Sequence, residues 1–66
     1  MNWNKIVPQI TLELQAFVNN KLSAENLYKN AVSIGIGPEI RPLVRNGAQR
    51  GRKVAREALR RRNLLG

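Results

Sequence analysis

Cysteine and histidine are both missing from this chain, and each absence closes a route to chemistry. Without cysteine, neither a disulfide nor a thiolate metal site can reinforce the core, and the redox compartment stays open. Acids are scarce as well. Four carboxylates stand far apart at Glu13, Glu25, Glu39 and Glu57. With no imidazole, no thiol and no local pair of acids, there is almost nothing from which to build a general base or a nucleophile. The sequence therefore argues against an enzyme and implies neither a metal nor a cofactor. Long apolar runs are absent too, none approaching the roughly 18–20 residues of a membrane span. Gln9, Thr11 and Glu13 interrupt the stretch after Lys5, and no small-residue cleavage site follows. A secretory signal is not expected on that pattern, and an intracellular protein, or one carried inside a virion, is.

At 66 residues the chain can form one small domain at most. A domain of this size buries only about 60% of its unfolded surface, so marginal stability alone is expected, with a partner as part of its folded life.

What is present in quantity is positive charge, and it is unevenly placed. Up to Ile40 the bases Lys5, Lys21 and Lys29 are matched by Glu13, Glu25 and Glu39. After Ile40, nine of the twelve Lys and Arg residues face the single acid Glu57, so the formal charge of +8 belongs to the last third. At about 100° per residue, Ala48, Gly51, Val54, Ala55, Ala58, Leu59 and Leu65 share one arc of a helix there. Arg50, Arg52, Lys53, Arg56, Arg60 and Arg61 fall on the other side. The tail reads as a basic amphipathic helix whose apolar stripe is mostly small residues. Such a stripe fits close approach to another helix, either in the same chain or in a second copy.

The rest of the chain reads as helices and stops. From about Asn4 to Asn19, Trp3, Ile6, Val7, Ile10, Leu14, Phe17 and Val18 recur at helical spacing. Pro8 costs little if Asn4 or Lys5 caps this helix, and kinks it if the helix starts earlier. Asn19, Asn20 and Lys21 favour a turn. Ser23 then caps a second helix with Glu25 in its first turn, and Ala24, Leu27, Tyr28, Ala31 and Ile34 face one way. Residues 1–34 are thus expected to form an antiparallel hairpin whose apolar side, Trp3, Ile6, Ile10, Leu14, Phe17, Leu27, Tyr28 and Ile34, supplies a core or an assembly surface. Residues 35–47 form a Gly/Pro-rich connector. Within it, Pro38 to Asn46 is either a short helix opened by Pro38 and distorted at Pro42, or a turn followed by a helix from Pro42. Residues 48–66 form the Arg-rich helix, weakened by Gly51.

Two motifs bear on function. Leu27 to Val44 resembles the general helix-turn-helix pattern, with Ala31 in the first helix, Gly35 in the turn and Val44 in the second helix. Pro42 in the middle of the reading helix counts against it. The arginine run counts for more. Arginine outnumbers lysine eight to one after residue 40, which suits bidentate contacts to phosphate. The sequence thus points to an all-helical, small, basic nucleic-acid-binding protein that neutralises phosphates largely without regard to sequence through Arg41, Arg45, Arg50, Arg52, Lys53, Arg56, Arg60, Arg61 and Arg62. Packaging within a virion, nucleoid or ribonucleoprotein fits that chemistry, as a homo-oligomer or a subunit of a larger assembly. DNA and RNA are not distinguished, since neither an RNP-like aromatic pattern nor a clear groove reader is present. The competing expectations are a structural subunit whose basic helix docks on an acidic protein or an anionic membrane surface, and a helix-turn-helix DNA-binding regulator.

Overall fold

The structure, a computed structural model, describes residues 1–65 and is built from helices alone. In chain order they are α1 (Trp3–Val18), α2 (Ala24–Ser33), α3 (Gly37–Arg45) and α4 (Ala48–Arg61).

The first helix begins earlier than Asn4. Asn2 is its cap, its side-chain oxygen accepting from the Lys5 amide at 3.4 Å. Pro8 therefore lies beyond the first turn, where it has no N–H to give to the Asn4 carbonyl. The backbone answers with a kink at Ile10 (φ −136°, ψ 38°). Around the kink, side chains supply donors to the carbonyls of the broken ladder: the Gln9 amide to Lys5 at 3.1 Å and the Thr11 hydroxyl to Val7. The bend keeps Ile6, Val7, Ile10, Leu14, Phe17 and Val18 on the buried side of one curved element.

The second helix follows the pattern of its sequence. Ser23 accepts from the Asn26 amide at 3.1 Å, and Glu25 occupies the first turn. At its end Gly35 takes φ +84°, the Gly35 amide donates to Val32 and the Ile36 amide to Ala31 at 2.9 Å. This closure turns the chain back and brings Ile36, the third residue after the helix, against its last turn. As a result Ile36, and not Ile34, enters the core: Ile36 is 3% exposed and Ile34 is 45% exposed. Ile34 is thus removed from the expected apolar face.

The connector contains a full helix. Of the two expected arrangements the first is the nearer, with Pro38 in the opening turn, but α3 runs through Pro42 as one helix where a distortion was expected. It adds Ile40 and Leu43 to the core. Asn46 and Gly47 are the whole link to α4, and Gly47 sits at φ +93° and accepts from the Gly51 amide at 2.9 Å.

One apolar cluster draws on every helix, from Ile6 and Phe17 through Leu27 and Ile40 to Ala55 and Leu59. The tail is therefore a wall of the core. Gly51 makes this geometry attainable. A Cβ at that position would lie 2.6 Å from the Leu43 carbonyl oxygen and 3.3 Å from Phe17 Cζ, so only glycine lets α4 approach α3 and α1 this closely. Of the two roles expected for the hairpin's apolar side, much of it serves the core: Phe17 is 0% exposed, and Trp3 and Tyr28 are partly buried.

Candidate nucleic-acid interface

The basic residues fall into two groups by what they touch. Arg52 and Arg56 border the buried stripe of α4 and reach the end of α1. Arg52 Nε donates to the Phe17 carbonyl at 2.9 Å, and its guanidinium carbon lies 5.0 Å from the centre of the Phe17 ring. Arg56 donates to the Val18 carbonyl at 3.4 Å. The last carbonyls of a helix lack intrahelical partners and carry the negative end of its dipole, so two cations there stabilise α1 as well as roofing Phe17. Arg62 is similarly engaged, bonding the Ala58 carbonyl and Asn4 Oδ1, each at 2.9 Å. Arg61 pairs with Glu57 at 2.9 Å, one turn back on the same exposed face.

The second group is uncommitted. Arg41 and Arg45 on α3, and Arg50, Lys53 and Arg60 on α4, are exposed. Among the described residues none of these five makes an ion pair. Periodicity alone places Arg52 and Arg56 with this group. The signal that separates them is their spacing of one turn beside a stripe of Gly and Ala, where a long side chain can lie across a closely packed neighbour.

Two surface concavities gather some of these cations without an acid. Asn20, Gln49, Arg52, Lys53 and Arg56 line one that contains no carboxylate. Beside it lies the start of α4, which has no side-chain cap and no acid in its first turn, so its free amides add to the positive field. Tyr28, Val44, Arg41 and Arg45 line the second hollow, between α2 and α3. The only exposed acid on α4 is Glu57. Among the described residues no three potential metal-ligating side chains converge. Every described cation is exposed or only partly buried, as a surface that meets an anion from solvent requires.

Compared with known protein families, with characterised proteins and with solved structures, the chain has no significant match.

Proposed function

We propose that this is a small nucleic-acid-binding protein that holds the phosphate backbone through α4 and the adjoining arginines of α3, largely without regard to base sequence. The observation that carries the reading is the set Arg41, Arg45, Arg50, Lys53 and Arg60, each exposed and none in an ion pair among the described residues. In a stable surface the two signs are usually balanced, and here Glu57 is the single acid on α4, beside Arg50 and Lys53, so the surplus of cations calls for an external counter-charge. A packaging or architectural role in a virion, nucleoid or ribonucleoprotein suits such chemistry. Nothing in the reading calls for enzymatic activity.

Two competing readings have less support. Docking on an anionic membrane needs a bulky apolar face to insert, and the bulky member of α4's stripe, Leu59, is already in the core. A sequence-reading helix-turn-helix needs polar side chains along the outer face of its second helix. Here α2, the Ile34–Ile36 turn and α3 have the right connectivity, but α3 turns Pro38, Arg41, Pro42 and Arg45 outward. Two prolines and two arginines offer phosphate contacts and little base readout.

The test is salt titration of labelled oligonucleotide binding. The log–log slope should approach −0.7 to −0.9 per contacted phosphate, with random sequences competing well. Charge reversal at Arg50, Lys53 and Arg60 together should abolish binding with circular dichroism unchanged. An affinity indifferent to salt would sink the proposal.

A further inference from the structure

Trp3 occupies a position that its place in an apolar helical stripe does not convey. It opens α1, and it lines two adjoining clefts against α4. One cleft, of about 180 Å³, is bounded by Met1, Pro42, Val54 and Arg50. The other continues along α4 past Val54 and Ala58 to Arg61 and Arg62. The ring is partly buried, and its Nε1 is neither a buried orphan nor engaged in a hydrogen bond among the described residues. Met1 and Val54 beside it are 51% and 42% exposed. An aromatic face with apolar neighbours thus lies between arginines of the basic helix.

We infer that this strip, from Arg50 past Trp3 to Arg61 and Arg62, receives single-stranded nucleic acid, with one unpaired base against the Trp3 indole and the flanking phosphates on the arginines. The inference rests on the function proposed above and narrows its substrate. Stacking on an aromatic side chain requires a base whose face is free, which a single strand offers and an intact duplex does not. The smaller cleft is below the roughly 300 Å³ of a whole small-molecule site, which suits one planar ring held by its neighbours. Charge selects the occupant. A second apolar protein surface would bring no counter-charge to Arg50 and Arg62, whereas a nucleotide chain supplies one on each side of its base. Glu57 is the cost, because its carboxylate lies in the larger cleft and holds Arg61. That pair is exposed and contributes little on its own, so an incoming phosphate can take over the guanidinium.

Trp3 is the sole tryptophan, so its fluorescence reports this site alone. The full chain is titrated with labelled oligothymidylate, with an abasic strand of equal length, and with a duplex, following fluorescence and anisotropy together. Oligothymidylate should quench Trp3, and the abasic strand should bind without quenching. Trp3→Leu should weaken oligothymidylate binding by about 5- to 150-fold, equivalent to roughly 1–3 kcal/mol for one stacked base, bringing it towards the abasic strand. Glu57→Gln should tighten it. Equal quenching by the duplex, or binding of oligothymidylate that leaves Trp3 fluorescence unchanged, overturns the inference while the phosphate reading stands. Failure of all three to bind removes both.

Discussion

At Gly51 two local forces oppose each other, and packing wins. Alanine there would gain up to about 1 kcal/mol of helix propensity. It would also drive a Cβ to 2.6 Å from the Leu43 carbonyl, a backbone atom that cannot swing aside. Gly51→Ala should therefore destabilise the protein by about 1–3 kcal/mol, the usual range for overpacking. For a domain of this size that lowers the melting temperature by about 4–8 °C per kcal/mol. A thermal melt checks it, and a raised midpoint would mean that α4 does not approach α3 as described. The same scale corrects an expectation about charge. Arg52 and Arg56 group with the basic side of the helical wheel, which argues that they can be reversed without structural loss. Their bonds to Phe17 and Val18 say otherwise. Arg52→Ala should cost about 1–2 kcal/mol in urea unfolding, the scale of a lost hydrogen bond from a charged donor, whereas Arg60→Ala should cost almost nothing.

At the scale of elements, periodicity and stop signals were informative and partnership was not. The caps, turns and stripes locate α2 and α4 closely, because Ser23, Gly35 and Gly47 act through local backbone chemistry that short sequence carries. The start of α1 was open between two readings because the effect of Pro8 depends on where the cap lies, and Asn2 is as good a cap as Asn4. The replacement of Ile34 by Ile36 follows from a closure geometry that a helical wheel does not contain, since a wheel ends where the helix does. Nor does a stripe of small residues name what it packs against. The tail of residues 48–65 contributes Ala55 and Leu59 to the same core as the hairpin, so it is structural as well as basic. Removing residues 48–66 should abolish the cooperative melt of the remainder, because Phe17 loses both Gly51 and Arg52 as its cover. A truncated chain that still melted sharply would restore the hairpin as an independent unit. The interface arginines were legible as a group, since composition and charge asymmetry concern totals, but which of them are engaged in the fold depends on long-range neighbours.

The whole molecule is as tight as one domain of its length should be, with a Cα radius of gyration of 10.3 Å against about 11 Å from size scaling. The apolar side of the hairpin, which could serve as a core or an assembly surface, is enclosed within the chain by α3 and α4. What remains outside is Leu12 at 76% exposure, with Val32, Ile34, Val54 and Met1 less so. In nuclease-treated, high-salt buffer at micromolar concentration the protein should sediment as a monomer, because salt removes nucleic-acid bridging without weakening apolar contact. A dimer under those conditions would place an interface on these few side chains. The dependence of Phe17 on residues 51 and 52 also has a meaning in time. The donor that roofs this ring is 35 positions further along the chain. At about 5–20 residues per second of synthesis, the apolar side of α1 waits roughly 2–7 s on the ribosome before its own cover exists, and in that interval any other apolar surface competes for it.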